Sequence, residues 1–178
     1  MRKIFTKEID TPVGQMIAGA NDDGICLFDF LHRTSLPTIK TRIGAFLMSN
    51  FEKGNHPFFE KLEEELGEYF AGTRQGFLLP LQLCGSSFQV EVWRTLQTIP
   101  YGSISTYLKQ AQGLGNEKAV RAIATANGMN GLAILIPCHR VVGTNGVLTG
   151  YSGGLAAKKW LLEHERKNAG LSMQTSLF

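Results

Sequence analysis

The sequence predicts an α+β fold in two parts. An N-terminal α/β domain with a small antiparallel sheet takes residues 1–84, and a helical C-terminal domain with a helix-turn-helix takes residues 85–170, leaving 171–178 as a flexible tail. Three observations predict it: strand-like alternation in the first 30 residues, apolar residues at helical spacing around 59–70, and successive helical segments beyond Gly85 separated by Gly and Pro. With 178 residues, 43% hydrophobic and 19% charged, the chain can bury a sizeable core, and disordered or collagen-like chains are excluded.

The segments IFTKEI, QMIAGA and ICLFDF alternate as strands, and the turn-forming TPVG and NDDG between them make an antiparallel meander. A polar, Gly/Pro-containing region from Leu36 to Pro57 is assigned no regular element. Phe59, Leu62, Leu66, Tyr69 and Phe70 then recur at helical spacing, predicting an amphipathic helix with a solvated acidic face that ends at Gly72. LLPLQL, Leu78 to Leu83, reads as strand or linker.

Ser86 and Gln89 fit a capping box ahead of Phe88, Val92 and Leu96, so a helix is expected from Ser87 to Gln97, halted by Pro100 and anchored by Trp93. TYLKQAQ predicts a short helix broken at Gly113–Gly115. Asn116 is placed to cap a second one, EKAVRAIATAN, which Gly128 stops. This helix-turn-helix pattern belongs to DNA readers and also to ordinary core helices. Ala119, Ala122, Ala124 and Ala126 give the second helix a low profile, suited to close approach of another surface or to tight packing.

Charge divides the chain. Residues 1–84 hold 9 Lys/Arg against 11 Asp/Glu, and residues 85–178 hold 9 against 4, so the second half suits a polyanion such as DNA. The longest apolar run, Leu132 to Pro137, falls far short of the roughly 20 residues that span a bilayer. With no apolar run after the basic start MRKIFTKEID, a cytoplasmic protein is expected, without membrane association. Cys26, Cys84 and Cys138 form no CxxC pair, so neither a disulfide framework nor a zinc knuckle is suggested.

The chemistry concentrates in ILIPCHRVV, Ile134 to Val142, where an apolar strand-like run delivers Cys138 beside His139 and Arg140. Only about 3% of an ordinary thiol is thiolate at neutral pH, and an adjacent cation or base is expected to raise that fraction. Cys26 and Cys84 sit in apolar contexts without such neighbours and read as inert. His32, His56 and His164 read as surface residues.

FQVEVWRTLQTIPYG, KAVRAIATAN, IPCHRVVGTNG and GYSGGLAAKKWLLEHE, in this order, resemble the O6-alkylguanine-DNA alkyltransferases, or methylated-DNA–protein-cysteine methyltransferases. The match is strong over Leu78 to Glu165, and looser through TPVGQMIAGANDDGICLFDF. The resemblance implies repair of duplex DNA containing O6-alkylguanine, with O4-alkylthymine as a second substrate, by a flipped base whose alkyl group passes irreversibly to Cys138, without cofactor or metal. It implies that His139 acts as base through a water, Glu165 orients His139, and Asn130 shapes the turn at the cysteine. Tyr107 would donate to the flipped base, the backbone of Val141 and Cys138 would accept from it, and Tyr151, Ser152 and Gly153 would wall the pocket. Arg121 would fill the gap in the stack while Ala119 and Ala122 let the helix enter the minor groove. Where the family usually has proline after Asn130, Gly131 stands here and implies a more mobile loop.

Three other readings compete. A lesion binder without transfer would lack Cys138, a regulator would carry extra metal-binding segments, and a Cys-His hydrolase would turn over where a thioether product cannot. A monomer is expected. The end QTSLF, with Gln174, Leu177 and Phe178, resembles the short peptide by which bacterial repair proteins dock on the sliding clamp.

Overall fold

The computed structural model describes residues 2–170. β1 (Arg2–Thr11), β2 (Gly14–Asn21) and β3 (Gly24–Phe30) form the expected antiparallel meander. Glycine permits its second turn: Gly24 has φ 142°, and a Cβ there would lie 2.4 Å from the Pro80 carbonyl oxygen. Asn21 Oδ1 accepts the Asp23 N–H at 3.0 Å and closes the loop.

The region 36–57 is structured, contrary to expectation. It holds α1 (Leu36–Leu47) and β4 (Ser49–Lys53), and β4 pairs parallel with β1 to give the order β3-β2-β1-β4. The sheet is therefore mixed rather than purely antiparallel. The sequence signal is thin because α1 buries only Leu36, Ile39 and Ile43, and β4 is an edge strand with no alternation of buried residues.

α2 (Pro57–Ala71) buries Phe59, Leu62, Leu66 and Tyr69 as the spacing predicts, and Gly72 ends it at φ 80°. Its acidic face is not wholly solvated, since Glu65 is buried and accepts the Leu78 N–H at 2.9 Å. His56, expected at the surface, is buried and caps this helix, its Nδ1 accepting the Phe58 N–H at 3.3 Å. His164 is half-buried, its ring stacked on Trp160 with centroids 4.8 Å apart, and only His32 is exposed.

α3 (Ser87–Gln97) begins on the predicted capping box, with Ser86 Oγ accepting from Gln89 N (3.2 Å) and Gln89 Oε1 from Ser86 N (3.0 Å). Val92, Trp93 and Leu96 are buried, whereas Phe88 is 40% exposed, because the stripe starts beyond the edge of the core. After β5 (Ser105–Thr106) come α4 (Tyr107–Gly113) and α5 (Val120–Gly128). Asn116 makes no side-chain cap; it precedes a 3-10 turn, Glu117–Ala119, so the α-helix starts later than predicted. A buried reciprocal amide pair locks the two helices, Gln110 Nε2 to Asn127 Oδ1 (3.1 Å) and Asn127 Nδ2 to Gln110 Oε1 (2.8 Å).

The expected strand through ILIPCHRVV is not formed. Ala133 bridges to Ile136 across a turn with Ile134 at φ 71°, Cys138–Arg140 form a 3-10 turn, and only β6 (Val141–Val142) is strand, parallel to β5. A β-branched residue in the left-handed region costs of order 1 kcal/mol and persists where its surroundings enforce it. Ile134 is 2% exposed, within the main core. α6 (Leu155–Asn168) ends the described chain.

One buried cluster runs through both halves, joining Phe28 and Phe30 of β3, Tyr69 of α2, Trp93 of α3 and Leu132–Ile136. The outer edge of β3 receives the second half directly: Phe28 N donates to Gly131 O (2.8 Å) and Ala133 N to Phe28 O (2.7 Å). These bonds tie the Gly131 loop to β3, and a Cβ on Gly131 would lie 2.9 Å from Ile39 Cγ2. Among the described residues no helix is long and apolar enough to cross a membrane.

Candidate functional site

Cys138 opens the 3-10 turn after Pro137 and lines a cavity of about 880 Å³, with Tyr107, Asn130, Tyr151 and Ser152 among its walls. Asn130 organises this end. Its Nδ2 donates to Cys138 Sγ (3.3 Å) and Ile136 O (3.0 Å), and its Oδ1 accepts from Leu132 N (2.9 Å). One side chain thus ties both limbs of the Ile134 turn and touches the sulfur.

The thiol is not the activated thiolate that its sequence neighbours suggest. Burial pushes Cys138 up, and the Asn130 hydrogen bond and the Lys158 ammonium only partly oppose it. Arg140 is engaged elsewhere, with Nε on Glu165 Oε2 (2.8 Å), Nη2 on Glu165 Oε1 (3.0 Å) and Nη1 on Ile99 O (2.7 Å). The cations that act on the sulfur are Arg33 and, more strongly, Lys158 of α6, fully buried, with Nζ on Val141 O (2.6 Å) and Thr149 O (2.9 Å), and burial pushes Lys158 down to about 8. A resting thiol needs a base. The other two cysteines are suppressed as well: burial and the nearby Cys84 push Cys26 up to about 12, and burial pushes Cys84 to about 11 against the pull of Arg42.

His139 follows Cys138 and is fully buried, its Nε2 at 2.7 Å from Glu165 Oε1. Burial alone would raise the Glu165 carboxyl, but His139 and Arg140 outweigh it and hold the group well below the usual carboxylate range. An ionised carboxylate only accepts, so Nε2 donates to Glu165 and Nδ1 is the nitrogen left for proton exchange. Nδ1 is buried and has no hydrogen-bond partner among the described residues.

Tyr107, at the start of α4, lines the cavity and its hydroxyl accepts from Thr149 Oγ1 (3.0 Å). The Val141 and Cys138 carbonyls each already accept one hydrogen bond, from Lys158 Nζ and from the Val141 N–H. Tyr151 meets Phe30 edge-on at 5.7 Å, and a Cβ on Gly153 would lie 2.4 Å from Phe30 Cζ, so β3 sets the position of this wall. Arg121 and Ala122 are exposed on α5, Ala119 is half-buried in the turn before it, and Ala124 reaches the cavity rim. The cavity thus gathers Cys138, Asn130, Tyr107, Tyr151 and Ser152; His139 and Glu165 lie in the protein behind it, and Arg121 lies outside it.

Sequence reasoning misses four contributors. Arg33, from the loop after β3, lines the cavity and donates to Asn130 O (2.8 Å), to Gly128 O and to Asp29. No spacing signals a contact across 97 positions. Asp29 and Tyr69 lie in stretches that read as core. Lys158 was detectable, since it shares a helical face with Leu161, Leu162 and Glu165, where an unpaired lysine is unexpected. Among the described residues no three His, Cys, Asp or Glu side chains converge as a metal-binding group.

The geometry has close parallels. Residues 87–167 match the model of the 6-O-methylguanine DNA methyltransferase DNA-binding domain. A methylated-DNA–protein-cysteine methyltransferase from Mycolicibacterium paratuberculosis is 40% identical over 167 residues, covering 94% of this chain and 95% of its own. The constitutive enzyme of that name from Bacillus subtilis is 40% identical over 158 residues, 88% of this chain and 92% of its own. The Mycobacterium tuberculosis OGT solved in complex with DNA superposes with a TM-score of 0.78 at 35% identity, covering 92% of this chain and 94% of that one.

Proposed function

This chain belongs to the methylated-DNA–protein-cysteine methyltransferase family, and on that premise we propose how its residues divide the work of moving a methyl group from O6-methylguanine in DNA to Cys138. The observation that carries the assignment is a cavity-lining thiol, contacted by Asn130, followed by a buried imidazole whose Nε2 is held by Glu165. The thiol's proton passes through a water to His139 Nδ1, the Sγ–C bond forms, and the O6–C bond of the base breaks. Glu165 holds the imidazolium, and the Tyr107 hydroxyl donates to the base as it leaves. Water does not cleave the resulting thioether, so each molecule reacts once.

The base reaches the thiol by leaving the stack, since a sulfur inside a cavity cannot approach O6 of a stacked guanine in line. α4 and α5 act as the helix-turn-helix, with Ala119 and Ala122 allowing close approach to the minor groove and Arg121 occupying the gap. The Val141 and Cys138 carbonyls use their second lone pairs on the base, between walls made by Tyr151 and Ser152, with Gly153 packed against Phe30 beside them. The same pocket is proposed to take O4-alkylthymine. The protein works as a cytoplasmic monomer, without cofactor, and divides functionally near residue 85.

Incubation with a duplex containing O6-methylguanine, followed by intact-mass measurement and peptide mapping, tests this reading: one added methyl on Cys138 is expected, and an unmodified protein rejects it. Gln174, Leu177 and Phe178 lie outside the described residues. For them we propose docking on a bacterial sliding clamp in the micromolar range, about −8 kcal/mol. Clamp binding that survives deletion of residues 174–178 rejects this proposal.

A further inference from the structure

Glu165 carries a partner that the His139 and Arg140 contacts do not explain. Tyr69 Oη donates to Glu165 Oε1 at 2.7 Å, from α2 in the other half of the protein, 96 positions away in sequence. The same oxygen accepts from His139 Nε2 and Arg140 Nη2, while Oε2 accepts from Arg140 Nε and the Gly102 N–H (3.3 Å). A carboxylate offers about four lone-pair sites, so five donors saturate it. Resting on the transfer reaction proposed above, we propose that Tyr69 is a positioning residue: its hydroxyl holds Glu165 as a saturated acceptor, so that His139 keeps its Nε2 proton and presents a free Nδ1 toward the cysteine's proton.

The hydroxyl has no packing role that a phenyl ring would not fill. The Tyr69 ring packs against Phe70, Phe77, Tyr101 and His164, with centroids 5.2 to 6.1 Å apart, contacts that phenylalanine keeps. Burying a hydroxyl is costly without a partner, and its partner is Glu165. Burial and the Glu165 charge push the phenol well above its usual range, so it stays a donor throughout neutral pH. The groups facing this cluster are Arg140 and Cys138 on the reactive turn, Tyr101, Tyr151 on the pocket wall and His164 on α6, whose Nε2 lies 2.7 Å from Tyr69 O. With the hydroxyl gone, Glu165 Oε1 becomes more basic and favours the imidazolium at rest, which cannot accept the thiol's proton.

The test uses the full chain with Tyr69→Phe and a duplex containing O6-methylguanine, with single-turnover rates measured from about pH 5 to about pH 9 across the range in which histidine titrates. Because each molecule accepts one methyl, the reaction amplitude counts folded protein and the rate constant reports on those molecules alone. The expected result is unchanged amplitude and DNA affinity, a rate lower by roughly tenfold near neutral pH, and an acid limb moved to higher pH. A wild-type rate and limb overturn the proposal, and so does a slower rate with an unmoved limb, which marks a packing effect. His139→Gln, run in parallel, separates the two readings. A wild-type rate in that variant rejects the relay itself, while a slow His139→Gln beside a normal Tyr69→Phe rejects only the role of Tyr69.

Discussion

Cys138 sets the chemical problem: a thiol that burial pushes up, opposed by the Asn130 hydrogen bond and by the Lys158 and Arg33 charges. Replacement by serine removes the soft nucleophile without disturbing the DNA-facing surface. Cys138→Ser is expected to abolish methyl transfer and leave duplex affinity within about twofold in a binding titration, because phosphate contacts dominate affinity. Glu165 sets a second problem, one of stability. Its carboxyl lies below the usual range in the folded protein, so its contribution is complete above the unfolded value of about 4.3 and is lost as pH falls toward the folded value. Glu165→Gln leaves Arg140 buried without a counter-charge and should cost about 3 kcal/mol near pH 7, as read by urea denaturation. The gap to wild type should narrow as pH is lowered below about 4. A gap independent of pH would mean that the carboxylate is not held down by its partners.

At the scale of elements, what matters is how firmly each one is placed. α3 starts on a reciprocal capping box and sends Trp93 Nε1–H to Ala126 O of α5 at 2.8 Å, so the start of one helix helps position another. Ser86→Ala is expected to destabilise the protein by about 1 kcal/mol in chemical denaturation, without changing the transfer rate of the folded molecules. The capping box was legible because it is a local pattern, three residues of separation closed by two hydrogen bonds. α1 and β4 were not, because an edge strand and a helix with one buried residue per turn leave little periodicity. The reactive turn failed in the opposite way. Its apolar residues read as a strand, but the bend at Ile134 comes from Asn130, the β3 edge and core packing, none of which is local.

For the whole molecule the question is how a cavity in one half meets DNA while being built by both. Arg121 on α5 is exposed away from the cavity, so Arg121→Ala should slow repair in duplex far more than reaction with free O6-benzylguanine, which needs no base replaced in a stack. Equal slowing on both substrates would place Arg121 in another role. By itself the sequence determined what local order can encode: the meander and its turns, α2 and α3, the helix pair, and a Cys-His step within motifs that carry the family resemblance. Tertiary structure alone decided which charges act on which groups. Arg140 lies two positions from Cys138 in sequence but pairs with Glu165, while Lys158, 20 positions from the cysteine, acts on the sulfur. Tyr69 and Arg33, read as core and as an unremarked loop residue, reach Glu165 and Asn130 from the other half. The physical reason is one of range. Periodicity, capping and turn chemistry act over a few residues, whereas desolvation and hydrogen bonding in a buried site depend on segments that meet only when the shared core forms.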